Sequence, residues 1–364
     1  MSQSKRILFL YCGGTIGLKP VAHGNDVVLS APKDDKDFKE ACEPIISKLN
    51  KEAGVEVVFE MLTTKDSTNM TPDDWTMMVE RVCKAQDEEG YDAVGIAHGT
   101  DTLAYTACAL ALGLHGSELG KSGLRVPVCL TGAQNTVYEQ GGDGRFNLEN
   151  LFRVLNEAIE KEYADVFINF WNRVLLGCRA LKTSEKQFDA FKTPAFPQIG
   201  EINSHGVFFR EDVTRKKSNA SSSINLSSKF GNGIIGIELS PGVLPRNIDS
   251  FVNSGEVNAI VFKSLGEGNV CTEGRYNLLP SIENATKKGV PILITTKYVG
   301  GSAIASHYEV GMKAIKAGGI PCFDQTDVAV DVKTRWLIGN SICKDAGSFT
   351  KAMATSYAGE VTEL

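Results

Sequence analysis

A chain of 364 residues, 42% hydrophobic and 23% charged, is long enough to bury a substantial core, and two domains suit that length better than one. Its net charge of −6 excludes the broadly basic surface of a general nucleic-acid binder. Nine cysteines, none in a CxxC pair, read as reduced thiols of a reducing compartment and not as a disulfide framework. No stretch reaches transmembrane length, and the short apolar run near the N-terminus passes straight into a glycine motif. The expectation is a cytoplasmic protein with no membrane contact.

In chain order, the apolar run Ile7-Leu8-Phe9-Leu10-Tyr11 predicts a buried strand over 6–12, exiting into Gly13-Gly14-Thr15. Glycines there permit a tight turn or the close approach of a ligand. The stretch has neither the spacing of a dinucleotide fingerprint nor a GxxxxGK[ST] phosphate loop. A polar loop is expected over 18–36, then a helix over 37–53 closed by Gly54, then a strand over 55–61. That strand exits into Asp66-Ser67-Thr68-Asn69. Thr71-Pro72-Asp73-Asp74 is a helix start, with a capping hydroxyl, proline at the first helical position and acids in the first turn. The helix should run to about residue 89. A strand over 91–97 exits into His98-Gly99-Thr100-Asp101-Thr102, and a helix over 103–114 follows. A strand over 126–130 exits into Thr131-Gly132-Ala133-Gln134, and a helix over 146–161 and a strand over 165–170 continue the alternation. This is the pattern of a parallel α/β sheet.

Residues 203–230 are polar and serine-rich and read as a linker, with Arg215-Lys216-Lys217 as solvated charges. The alternation then restarts: strands over 234–239 and 257–263, a helix over 277–288, a strand over 290–295 and a helix over 305–317. The expected architecture is therefore two α/β domains. The larger, 1–202, has a mainly parallel sheet and most of the candidate site; a linker, 203–230, leads to a smaller C-terminal domain, 231–364. No internal repeat is visible.

Three strand exits carry hydroxyls beside glycine or acid: Thr15, Ser67 and Thr100-Asp101. Parallel strands would bring all three to one edge of the sheet, where such sheets bind ligands. A hydroxyl near a carboxylate suits a nucleophile with a base, and glycine N–H groups suit a developing oxyanion. The residues alone reach only a small-molecule site, with a mainly structural grouping as the alternative.

Cys12-Gly13-Gly14-Thr15-Ile16-Gly17 resembles the first signature of bacterial-type asparaginases, and His98-Gly99-Thr100-Asp101-Thr102 resembles their second. Asp66-Ser67-Thr68-Asn69-Met70-Thr71 is similar to the substrate-clamping segment of the cytoplasmic, type I branch. Thr131-Gly132-Ala133-Gln134 and Arg179-Ala180-Leu181-Lys182 fit two further family segments. The likeness covers residues 5–200 well and continues more loosely, through Gly266-Glu267-Gly268-Asn269, to near 340.

The resemblance implies hydrolysis of the side-chain amide of L-asparagine to L-aspartate and ammonia, with no metal or organic cofactor. It implies Thr15 as nucleophile and Thr100, Asp101 and Lys182 as a triad, with Thr100 orienting or activating water through Lys182. Asp66 and Asp101 would meet the substrate ammonium, Ser67 its carboxylate, and Ala133 would shape the amide end. Backbone N–H groups of Thr100, Gly14 and Gly99 would face the oxyanion. The family forms homodimers that pair into homotetramers, and Glu267 and Asn269 are the candidates for inter-subunit contact. Some type I members also bind asparagine at a second, regulatory site.

Blander readings stand beside these. Asp66 suits a turn cap, His98 a structural role, Cys12, Trp75 and Trp171 packing. His23 reads as an incidental residue of an exposed polar loop, and His115, His205 and His307 share no metal-ligand spacing. One departure matters: family members usually carry a tyrosine on the mobile loop after the first signature, and residues 18–28 contain none. Asn25 falls near that place, while Tyr11 and Tyr138 lie on other segments. Two other functions fit the scaffold, a non-catalytic amino-acid sensor and a glutamine-hydrolysing amidotransferase subunit. The latter carries an additional N-terminal domain, for which the residues before Thr15 are expected to leave no room. Asparagine is expected to be preferred over glutamine, although one methylene usually discriminates by only about 1–3 kcal/mol.

Overall fold

The computed structural model describes residues 4–23, 26–114, 123–215, 227–304 and 308–362. They form two compact units, one built from residues up to 215 and the other from 227 onward, with Pro194–Pro197 belonging to the second.

The first unit opens with β1 (Lys5–Cys12), whose Ile7, Leu8, Phe9 and Leu10 are fully buried. A strand covered on both faces reads as a continuous apolar run, which is why this one is visible in the sequence. A hairpin follows, β2 (Lys19–His23) and β3 (Asp26–Ser30), then α1 (Asp35–Ala53) and β4 (Val55–Met61). Gly54 ends α1 in the left-handed region, at φ 62°. Next come α2 (Pro72–Asp87), β5 (Ala93–His98), α3 (Leu103–Gly113) and β6 (Val128–Thr131). The helix start foreseen at Thr71 is observed, and Asp74 reaches back to accept from the Thr71 N–H at 2.8 Å. Then follow α4 (Asp143–Glu160), β7 (Val166–Phe170), β8 (Arg173–Leu176), β9 (Leu181–Lys182), β10 (Phe191–Lys192), β11 (Gly200–Asn203) and β12 (Gly206–Phe209).

The main sheet has the order β12-β11-β8-β7-β6-β5-β1-β4. Strands β4, β1, β5, β6 and β7 are parallel; β8, β11 and β12 extend the sheet with antiparallel pairings. β9 and β10 make a separate antiparallel ribbon.

The second unit contains β13 (Ile234–Glu238), α5 (Pro245–Ser254), β14 (Ala259–Ser264), α6 (Leu279–Lys287), β15 (Ile292–Thr296), α7 (Glu309–Lys316), β16 (Gly319–Pro321), α8 (Asp327–Gly339) and α9 (Ala346–Ala354). Its sheet is fully parallel, in the order β13-β14-β15-β16. Ile260 and Phe262 of β14 and Ile292 and Ile294 of β15 pack with Ile248 of α5 and Ile282 of α6 in its core. The two-domain α/β architecture, with a larger, mainly parallel N-terminal sheet, is thus observed.

Several elements differ from the sequence expectation. The segment 18–36 is not a loop throughout: β2 and β3 pair antiparallel, Val21 opposite Val28, and every residue of the two strands is exposed. α4 begins at Asp143, three residues before the expected start of 146, because Gly142 supplies the extended cap residue. Within the stretch expected as linker, Gly206–Phe209 is a strand; residues 216–226 lie outside the described residues. Antiparallel β8, β11 and β12, and α5, β16, α8 and α9 have no counterpart in the sequence reading. Among the described residues, no helix is long and apolar enough to cross a membrane.

The C-terminal segment is fastened by a buried ion pair. Lys333 of α8 and Glu360 are both fully buried, with Nζ 2.7 Å from Oε1. Lys333 also donates to the Thr355 carbonyl at 2.7 Å, and Glu360 accepts from the N–H of Ala358 at 2.8 Å. Burial alone would raise the Glu360 carboxyl; the Lys333 charge and the hydrogen bonds from Lys333 and the Ala358 N–H hold it below the usual range.

Candidate active site

The candidate residues of the first unit are gathered by the sheet. Tyr11 of β1 pairs with Met61 of β4, and Cys12 pairs with His98 of β5. The chain therefore leaves all three strands at one edge, carrying Thr15, Ser67 and Thr100 with it. Glycines let those exits touch. A Cβ at Gly14 (φ 92°) would stand 2.4 Å from the Gly99 Cα, and one at Gly99 would stand 2.6 Å from the Ser67 Oγ. Backbone thus packs on backbone and on the Ser67 side chain, which no larger residue allows. Thr102 Oγ1 donates to the Ser67 carbonyl at 2.7 Å and ties the β4 and β5 exits together.

Between the exits lies a cleft of ≈ 160 Å³, lined among others by Gly14, Thr15, Asp66, Ser67, Gly99, Thr100 and Asp101. That is well below the roughly 300–1,000 Å³ of drug-sized ligand pockets, so the cleft suits a small metabolite. Lys182 reaches Thr100 and Asp101 from the β9–β10 ribbon. Its Nζ donates to Thr100 Oγ1 at 2.9 Å and to Asp101 Oδ1 at 2.6 Å. The lysine side chain is 18% exposed and the aspartate 56%. A hydroxyl held by an ammonium-bearing arm beside a carboxylate can relay a proton.

Asp66 does cap the turn that starts at Ser67. Its Oδ1 accepts from the Thr68 N–H at 2.9 Å and from Thr68 Oγ1 at 2.7 Å, and the backbone bond foremost holds the carboxyl below its ordinary range. The cap and the lining of the cleft coexist in one residue. Ser67 is only 3% exposed. Lys65 also lines the cleft and pairs with the Asp74 carboxylate at 2.6 Å, a contact the sequence reading missed.

His98 is fully buried. Its Nδ1 lies 2.8 Å from the Gly99 carbonyl, and its Nε2 lies 3.0 Å from Thr106 Oγ1. A carbonyl only accepts, so Nδ1 carries the proton and Nε2 accepts from the threonine. Burial pushes the imidazole down to about 4, so it is neutral near pH 7. It supports the Gly99 turn from behind. Cys12 is buried, and burial pushes its thiol up, as expected of a packing residue. Tyr11 is 2% exposed and donates a long 3.4 Å hydrogen bond to the Gly14 carbonyl.

Ala133 is buried just beyond the exit of β6 and is not among the residues that line the cleft. Asn25, His115 and His307 lie outside the described residues. Glu267 and Asn269 belong to the second unit, in the loop after β14, where the Asn269 N–H donates to the Leu265 carbonyl at 2.7 Å. Among the described residues, no group of three or more His, Cys, Asp or Glu could hold a metal ion. Sequence reasoning also missed Asp143, Asn147 and the side chain of Gln134. The available signal was polar residues at 143, 147 and 150, spaced four and three along an otherwise apolar helix face.

Two family models match the chain in order: "Asparaginase, N-terminal" over residues 6–215 and "Glutaminase/Asparaginase C-terminal domain" over residues 234–346. An L-asparaginase of Thermococcus kodakarensis is 28% identical over 357 residues, 98% of this chain and 99% of the relative. L-asparaginase 1 of Escherichia coli K12 is 29% identical, covering 99% of each chain. A subunit of the glutamyl-tRNA(Gln) amidotransferase of Aeropyrum pernix is 30% identical over 99% of this chain and 80% of its own length. Among solved structures, the thermostable L-asparaginase from T. kodakarensis superimposes with a TM-score of 0.83 at 27% identity, over 99% of this chain and 100% of that one. L-asparaginase I from Vibrio cholerae does so with 0.80 at 26% identity, over 99% and 100%. Fold and family are those of amidohydrolases, with asparaginases and amidotransferase subunits matching at comparable identity. Matched across both of its units, this chain belongs to the asparaginase family.

Proposed function

We propose that the protein hydrolyses the side-chain amide of L-asparagine to L-aspartate and ammonia. The observation that carries this reading is the Lys182 contact: Nζ lies 2.9 Å from Thr100 Oγ1 and 2.6 Å from Asp101 Oδ1, beside a cleft that Thr15 also lines. In this reading Thr15 Oγ1 attacks the amide carbon, and its proton passes through the Thr100–Lys182 pair to the departing nitrogen. The N–H groups of Thr100, Gly14 and Gly99 face the oxygen as charge develops on it. Ammonia leaves an aspartyl ester on Thr15. Water, deprotonated through Thr100 and Lys182, then attacks the ester carbon, and the Thr15 alkoxide leaves with the proton. Asp66 and Asp101 hold the substrate ammonium and Ser67 its carboxylate. Ala133 enters through the loop it shares with Gly132. The type I branch, a cytoplasmic location, and dimers or tetramers with Glu267 and Asn269 at the subunit contact belong to the same proposal.

The match to an amidotransferase subunit favours a second reading, release of ammonia from glutamine. Calorimetry and an ammonia-release assay, run in parallel on L-asparagine and L-glutamine, test both. We expect binding and turnover of asparagine, with the higher kcat/KM on that substrate. A kcat/KM for glutamine that equals or exceeds it would favour the second reading. Binding without ammonia release would favour a sensor.

A further inference from the structure

We propose that Gln134 is a positioning residue for Lys182, and that a buried polar stripe on α4 holds Gln134 in place. The inference rests on the role given to Lys182 above.

Burial on α4 is anomalous. Asp143 and Asn147 are fully buried and Asn150 is 1% exposed, all on one face of α4. Buried polar groups destabilise unless they are hydrogen-bonded, so their partners show what they are for. The Asp143 carboxylate accepts from the Gln134 N–H at 3.0 and 3.1 Å and from the Asn135 N–H at 2.9 Å. Asn147 donates to the Gly132 carbonyl at 2.9 Å, donates to Asp143 at 3.1 Å, and accepts from the Trp171 N–H at 2.9 Å. A rigid helix thereby fixes the backbone of the loop that follows β6.

From that loop the Gln134 carboxamide bridges to a different segment. Nε2 donates to the Gln187 carbonyl at 3.2 Å and, more weakly, to the Ser184 carbonyl at 3.5 Å. Ser184 is two residues past Lys182. Its hydroxyl accepts from the N–H groups of Lys186 and Gln187, and the Thr183 N–H donates to the Ala190 carbonyl at 2.8 Å, so 183–190 is a closed turn. Arg173 of β8 grips the same turn through the Asp189 carboxylate, at 2.7 and 3.1 Å. Lys182 has a long, rotatable arm, and a group that relays protons must sit within a fraction of an ångström of its place. Gln134 and Arg173 thus fasten, from two sides, the turn from which that arm extends.

The test uses Gln134→Met, which keeps the length of the arm and removes the donor, and Gln134→Glu, which keeps its shape and cannot donate. Two readouts apply. In the full-length protein, labelling of Lys182 by a small amine-acylating reagent, followed by peptide mass spectrometry, should quicken about fivefold in both variants, with Tm within a few degrees of wild type. Ammonia release from asparagine should lose about tenfold in kcat with KM changed less than twofold, because the clamping residues Asp66 and Ser67 are untouched. Unchanged labelling, or a loss of activity that tracks a loss of Tm or appears wholly in KM, overturns the proposal. Faster Lys182 labelling in a protein whose wild type releases no ammonia would uphold the positioning role and reject the asparaginase reading.

Discussion

Gly99 shows how a single residue sets the chemistry within reach. With no side chain, it lets the β5 exit lie against Gly14 and Ser67; an alanine Cβ would stand 2.6 Å from the Ser67 Oγ. Gly99→Ala should therefore spread the three exits and lower kcat/KM by about 100-fold, since displacements near 1 Å cost that much. Ammonia release measured beside circular dichroism separates this from unfolding. His98, one residue earlier, predicts a pH effect. Its folded form ionises near pH 4, against 6.5 for the unconstrained side chain, because burial disfavours the charge. Between those values the unfolded chain binds the extra proton, so stability falls as pH drops from 6.5 towards 4, by about 3 kcal/mol in all. Denaturant midpoints across that range should fall less steeply in His98→Gln. The motif residues were legible because glycine, hydroxyl and acid recur at strand exits. The dual use of Asp66, as both turn cap and cleft wall, was not, since one residue name is compatible with either role.

At the scale of elements, visibility followed burial. β1 is an apolar run from Ile7 to Cys12 because neighbouring strands and helices cover it there, and the sequence announces it. β2 and β3 escape notice because their ten residues are all exposed, mix valine with charge, and include Pro20. The Gly24-Asn25 pair between them was the overlooked hairpin signal. α8 hides for the opposite reason. Val328, Ala329, Val330, Val332, Lys333, Thr334, Trp336 and Leu337 are buried around most of it, with Asp331 and Arg335 half-buried on the remaining side, so no narrow apolar stripe marks one face. Lys333 in particular reads as a solvent position. β8, β11 and β12 have four residues each, too few for an alternation to stand out. Isolated two-stranded hairpins are marginal in water, whereas central parallel strands open only with the whole fold. Hydrogen exchange should accordingly be complete in β2–β3 long before it begins in β1. Comparable protection of the two would contradict this description of the hairpin.

For the whole molecule, the alternation of strands and helices specified two α/β units, while the fastening of each came from contacts between residues far apart in sequence. The Lys333–Glu360 pair, with both side chains fully buried, is the clearest case. Removing one partner strands the other charge, so Lys333→Met should lower the stability of the second unit by about 3–5 kcal/mol, and Lys333→Met with Glu360→Leu should recover much of it. Denaturant unfolding of the single and double variants measures both. Amide hydrolysis in the cleft beside Thr15 is the central proposal. Ammonia release from L-asparagine by the wild type and by Thr15→Ala tests it most directly. The account predicts turnover by the wild type and a loss of at least about 10³-fold in a folded variant. A wild type that releases no ammonia, or a Thr15→Ala protein that releases it at the same rate, would contradict it.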